Sequence, residues 1–225
     1  MSWVEKKWVL GLCWLVMAAW LPTSAWCDAP TVDQAKPRLV MVKVPHWKVS
    51  FFNLPDELPV LLPAGETFDP ARRQYDFSEG MEAMEVFVKL RSQDDLSPTY
   101  RLFLQKWPLY QKFFQAVDAE NFEQARSLIE SIRRLDPGEP AVHFYKGSLH
   151  SQAGEYAAAE SEYQRCRELF PAYAPVYINL ARLAMARQAK KEAQQYLQQA
   201  LARATDDEQA PTRRLAEQML QSLNP

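Results

Sequence analysis

A chain of 225 residues is long enough for one or two domains, and 48 % hydrophobic with 24 % charged residues is the composition of a folded protein rather than a disordered one. The formal net charge of −2 leaves no basic excess, which argues against nucleic acid as a partner. Cys13, Cys27 and Cys166 show neither a CxxC pair nor any other metal-ligand spacing, so no metal and no cofactor is expected.

Lys6 and Lys7 precede an uncharged run from Trp8 to Leu21, and Pro22-Thr23-Ser24-Ala25 follows it. These are the charged, apolar and cleavage regions of a secretory signal, with small residues three and one before a cut after Ala25. The run is short for a membrane span but extends to about 19 residues through Trp26, so residues 1–25 are read as a signal peptide or a signal anchor. The implied location is export: periplasmic, or anchored in an inner membrane with a periplasmic domain. The membrane is touched only through this segment if it is retained. Cys27 is not read as a lipidation site, because Trp26 stands where a small residue is required.

Residues 26–79 form a Pro-rich arm. Half of the sixteen prolines lie between Pro22 and Pro70, and the short periodic runs alternate at period two. Arg38 to Val44 reads as one strand and Trp47 to Phe52 as another, the second with Trp47, Val49 and Phe51 on one face. Pro45 between them suits an edge or a bend. Residues 80–105 are linking helices: Ser78 caps one over Glu79 to Arg91, with Met81, Met84 and Val88 on one side. Ser97-Pro98 opens another through N-cap and N1 preferences, and Pro108 is expected to kink or restart it.

The stretch from Pro140 to Pro171 holds two amphipathic helices, Ala141 to Ala153 and Tyr156 to Leu169, turned at Gly154-Glu155. One constant shift forward lays Gly147 on Ala181, Ala159 on Ala193, Tyr163 on Leu197 and Cys166 on Ala200. The same shift backward lays Tyr156 on Phe122, Ala159 on Ala125, Tyr163 on Ile129 and Pro171 on Pro137. Small residues recur where helices approach closely and larger ones recur between them. On these residues, with Asn121-Phe122-Glu123-Gln124-Ala125 and Leu135-Asp136-Pro137, the chain resembles the tetratricopeptide repeat family, whose period is about 34 residues, over positions 106–207. It departs from that pattern at Phe113, where a small residue is preferred, at Glu120 and Gln188, which replace the turn glycine, and at Thr205, which replaces the closing proline. Residues 208–225 read as a C-terminal capping helix with Leu215, Met219 and Leu223 at spacing four.

The resemblance implies a mainly α fold: an α-solenoid of three helix-turn-helix repeats with a capping helix, preceded by an arm with short β-strands. It also implies a concave groove lined by the first helix of each repeat, at Tyr110, Phe114 and Val117, then Phe144, Ser148 and Ser151, then Ile178, Arg182 and Met185. Such a lining suits an apolar or amphipathic peptide or helix, with Arg182 available to a carboxylate. The competing expectation is that the arm or the cap fills the groove from within. The basic and asparagine positions of the family's carboxylate clamp are not matched.

His143 and His150 share a helix face but lie about 10.5 Å apart along it, too far to ligate one ion together. His46 has no nucleophile motif beside it, so no catalytic residue is assigned. Cys166 stands at an alanine position of the repeat and reads as a buried thiol, a bridge to Cys27 being the other possibility. The expected function is a non-catalytic protein-interaction adaptor or assembly factor of the bacterial cell envelope with a protein or peptide partner. The alternatives are a small enzyme or redox factor built on the arm, or a structural subunit of a membrane complex. The signal reading predicts a mature protein starting at Trp26. Intact-mass spectrometry of the exported chain checks it: a mass beginning at Met1 supports the anchor, and a diacylglyceryl addition on Cys27 supports lipidation.

Overall fold

The computed structural model describes residues 38–62, 87, 96–205 and 210–223, all within one compact unit, residues 36–225. The candidate signal, the expected helix from Glu79 to Arg91 apart from Phe87, and Cys27 lie outside the described residues.

The arm begins with strand β1, Arg38–Lys43, then helix α1, His46–Phe52, then strand β2, Glu57–Leu62. The strands pair antiparallel in a register that sets Val40 opposite Val60 and Val42 opposite Leu58. The expectation of a strand from Trp47 to Phe52 is therefore corrected to a helix. Over so short a run, an apolar set at 47, 49 and 51 fits period two as well as Trp47 and Phe51 fit an i, i+4 helical pair, so periodicity alone does not decide. The ends decide it. The Pro45 carbonyl accepts from the amides of Lys48 and Val49 at 2.9 and 3.1 Å, and Asn53 closes the helix in the left-handed region at φ 45°. The true second strand is masked in sequence by Pro59 in its interior. A two-stranded sheet tolerates that proline, because both of its strands are edges.

Helix α2, Pro98–Asp118, runs unbroken through Pro108, so the expected restart there does not occur. Its start is as expected, with Ser97 Oγ accepting from the Tyr100 amide at 3.4 Å. Helices α3, Phe122–Leu135; α4, Pro140–Gln152; α5, Tyr156–Leu169; α6, Ala174–Ala186; and α7, Lys190–Arg203 complete three helical hairpins with the second half of α2. Helix α8, Ala210–Leu223, covers α7 with Ala216 fully buried, while Arg214, Glu217, Gln218 and Gln221 face water. The fold is thus a tetratricopeptide-type α-solenoid with a capping helix and a short two-stranded arm. Among the described residues no helix is long and apolar enough to cross a membrane.

Two positional rules hold the repeats. The hairpin turns recur at equal spacing, at Glu120, Gly154 and Gln188, with φ of 57°, 76° and 60°. The left-handed backbone therefore survives loss of glycine at two of the three turns, at a cost of about 1–2 kcal/mol each. The close helix contact exchanges volume between its two sides. Gly147 faces Tyr163, and the equivalent positions of the other repeats hold Phe113 with the smaller Ile129 and Ala181 with Leu197, all of them buried. The bulk of Phe113 is absorbed in this way and by packing its ring 5.2 Å from that of Tyr145.

A Cβ added at Gly147 would meet the Tyr163 ring at 2.7 Å. Gly147→Ala gains about 1 kcal/mol of helix propensity but forces a buried ring to move, which costs about 1–3 kcal/mol. Ala159→Leu, at a site with no exposure, has only the overpacking cost. Urea melts should show Ala159→Leu as the more destabilised of the two, and Gly147→Ala as neutral to about 2 kcal/mol worse than the parent. A parent-like melt for Ala159→Leu would break the repeat register.

Candidate functional site on the concave face

The first helix of each repeat presents its groove residues at fixed register positions, and their exposure changes along the helix. In the row nearest the loops between repeats, Tyr110 is 1 % exposed, Ile178 is 3 % exposed and Phe144 is half-buried. In the rows beyond, Phe114, Val117, Ser148, Ser151 and Met185 are half-buried and Arg182 is exposed. The nine residues do not form one open floor. Tyr110 and Ile178 contribute to the core, whereas Phe144 and the rows beyond them reach solvent.

Helix α1 covers part of the first row. Phe51, 1 % exposed, stacks on Tyr173 with centroids 3.9 Å apart and meets Phe144 edge-on at 5.8 Å. Phe52 meets Tyr110 edge-on at 5.4 Å, and Trp47 stacks on Tyr173 at 6.1 Å. Tyr145 joins the cluster from α4, with Phe114 at 5.5 Å. Burial pushes the hydroxyls of Tyr110 and Tyr173 well above their ordinary pKa, with Glu139 adding to the effect at Tyr110. These rings are neutral packing groups, not acids or bases.

A buried polar cluster fastens the end of α1. Lys106 Nζ donates to the Phe52 carbonyl at 2.9 Å, to Asp136 Oδ2 at 2.7 Å and to Glu139 Oε2 at 3.1 Å. Tyr110 donates to Glu139 Oε1 at 2.8 Å, and Asn53 Nδ2 donates to both Asp136 oxygens at 3.1–3.2 Å. Lys106 and Glu139 are almost fully buried and Asp136 nearly so. Burial raises the Glu139 carboxyl to about 7, against the opposing pull of Lys106 and of the Tyr110 hydroxyl.

Sequence reasoning missed Lys106, Asp136, Glu139, Phe170 and Tyr173. Asp136 and Phe170 occupy the same repeat position in successive loops between repeats, and so do Glu139 and Tyr173. The first loop meets the arm with the Asp136 carboxylate and the second with rings. The available signal was a pair of acids at loop positions where the next repeat carries aromatics.

The remaining candidates separate. His143 Nδ1 lies 2.7 Å from Glu162 Oε2 and His150 Nδ1 lies 2.5 Å from Glu155 Oε2, so the two histidines serve different carboxylates. Partial burial alone would raise the Glu162 carboxyl, but the bonds from His143 and Lys146 outweigh it and hold the group at about 2. Cys166 is buried, and its thiol is pushed up to about 12 by that burial. Among the described residues no group of three or more His, Cys, Asp or Glu side chains is placed to hold a metal ion.

Comparison with known proteins agrees with the helical repeat. Residues 150–211 match the Tetratricopeptide repeat family. The fold is similar to that of PcrH from Pseudomonas aeruginosa, at 17 % identity and a TM-score of 0.51, covering 58 % of this chain and 96 % of that one. It is similar to PcrH in complex with the chaperone binding region of PopD, at 18 % identity and 0.50, covering 57 % and 94 %. It is also similar to the Yersinia enterocolitica type III secretion translocator chaperone SycD, at 18 % identity and 0.50, covering 52 % and 88 %. No curated protein sequence matches the chain.

The raised Glu139 carboxyl makes stability depend on pH. Its folded value of about 7 lies above the ordinary 4.5, so between those limits the native state keeps a proton that the unfolded chain has released. The contribution of Glu139 is full below about pH 4.5 and lost as pH rises toward 7, on the order of 3 kcal/mol in all at about 1.4 kcal/mol per pKa unit. Thermal melts from pH 5 to 8 should show the parent losing stability relative to Glu139→Gln. Parallel profiles would mean that Glu139 does not titrate in that range.

Proposed function

We propose that the protein is a non-catalytic adaptor or assembly factor of the bacterial cell envelope, whose repeats receive a peptide or helix from a partner protein. The observation that carries this is that the concave side already holds a helix: α1 sits there through ring contacts of Phe51 and Phe52 with residues of the first and second repeats and of the loop that leads to the third. A face that takes one amphipathic helix has the shape and chemistry to take another. The fold neighbour PcrH, solved with the chaperone binding region of PopD, supports the reading as a parallel in fold only.

The partner's surface is the outer part of the groove, where Phe114, Val117, Ser148, Ser151, Arg182 and Met185 retain solvent exposure. Arg182 is exposed and, among the described residues, bonded through Nη1 to Asn179 Oδ1 at 3.3 Å, which leaves guanidinium donors for a partner carboxylate. The envelope location rests on Lys6-Lys7 with the uncharged run from Trp8 to Leu21. A photo-crosslinking amino acid at Ser151 or Arg182, and separately at Arg165 on the second helix of its repeat, tests the reading in cells of the natural host. Adducts from Ser151 and Arg182 with one discrete protein are expected. Adducts from Arg165 alone would move the partner to the convex face.

A further inference from the structure

We infer that α1 is an intramolecular ligand of the groove, released without unfolding of the repeats, and that it competes with a partner helix presenting aromatic residues at the spacing of Trp47, Phe51 and Phe52. The inference rests on the reading that the groove receives a partner and adds what that partner must resemble and displace.

Three observations carry it. The first is length. A seven-residue helix with no side-chain N-cap bond does not hold itself together in water, so α1 exists through its docking, and its folding and binding are one event. The second is the polar floor beneath it. Lys106 keeps Asp136 and Glu139 as partners, and Glu139 keeps Tyr110, when α1 is taken away. The Phe52 carbonyl and the Asn53 amide group are withdrawn from this cluster, and both belong to the arm and regain water. Release therefore leaves no buried charge without a counter-charge, which is the condition that would otherwise forbid it. The third is the contact itself. Phe51 and Trp47 sit on Tyr173, and Phe52 on Tyr110, as knobs at i, i+4 and i+5 of one helix. That is the pattern by which an amphipathic helix occupies a groove in trans, and a partner with the same knobs meets the same rings.

The test uses the full chain and a fluorescent synthetic peptide of residues 44–55. The double variant Phe51→Ala, Phe52→Ala should melt cooperatively and bind the peptide at least tenfold more tightly than the parent. Adding Tyr173→Ala should abolish that binding, and a peptide with alanine at both phenylalanine positions should not bind. Hydrogen exchange on the parent provides a measurement free of substitutions. The amides of Val49 and Leu54, bonded within the arm at 3.1 and 3.0 Å, should exchange at least a hundredfold faster than those of Ile132 and Leu149. Exchange of all four at one rate would show that α1 opens only with global unfolding, and would overturn the inference. So would a double variant that folds but ignores the peptide, or one that no longer melts cooperatively. These readouts concern α1 alone, whereas crosslinking at Ser151 and Arg182 concerns the partner, so each reading can fail without the other.

Discussion

The arm and the repeats meet at one ammonium group. Lys106 is 1 % exposed, and a lysine withdrawn from water so completely is tolerable only if its donors are met and its charge is balanced. The Phe52 carbonyl, Asp136 and Glu139 supply three acceptors, one from the arm and two from the loop between the first and second repeats. The second carboxylate makes the cluster nominally one charge too negative. Glu139 stands at the N-cap position of α4, where the helix dipole favours an anion, yet burial still carries its carboxyl to about 7. The cluster is better understood as a device of registry than of raw stability. A buried ion group seldom outperforms apolar packing, but it accepts a single arrangement of its members, and that arrangement sets where Asn53 and Phe52 lie on the repeats.

The repeats supply a frame rigid enough for this to matter. Equivalent loop positions come round once per repeat, so the arm, once seated by Asp136 and by the Lys106 that Glu139 holds, finds Phe170 and Tyr173 at corresponding places in the next loop. Fixed periodicity converts one polar anchor into an aligned row of ring contacts. The same frame explains why Glu120 and Gln188 can hold left-handed turns without glycine. Each turn is bracketed by paired helices whose packing exceeds the local backbone cost.

The solenoid was legible in the sequence because its constraints are local and repeated: a small residue against a large one, a turn, a stop, all at one spacing. The arm was not, because its structure is decided by contacts far along the chain. His46–Phe52 carries a pattern too short to resolve by period, and α1 becomes a helix through Pro45, Asn53 and the rings of α4 and the 170–173 loop. The groove shows the same division. Register assigned nine residues to the concave side, but register does not say what lies over them, and the covering of Tyr110 depends on a helix far upstream in the chain. Lys106 was hidden for a related reason. A lysine within a helix normally reads as a solvated charge, and only its three-dimensional partners make it interior.

Covering the inner row also settles a problem that any groove of this composition poses in water. Tyr110, Phe144, Tyr145 and Tyr173 form a contiguous aromatic floor, and a floor of that size left bare invites association with any apolar surface. A resident helix covers part of it while leaving the more polar outer row, with Ser148, Ser151 and Arg182, in contact with solvent. On the inferred competition between α1 and a partner helix, selectivity follows. A partner able only to touch the outer row gains little, whereas one carrying rings at the right spacing replaces contacts of equal kind and adds the outer row to them. The affinity of the free groove is thereby converted into a difference between two helices for one site, which discriminates among partners more sharply than an open apolar surface.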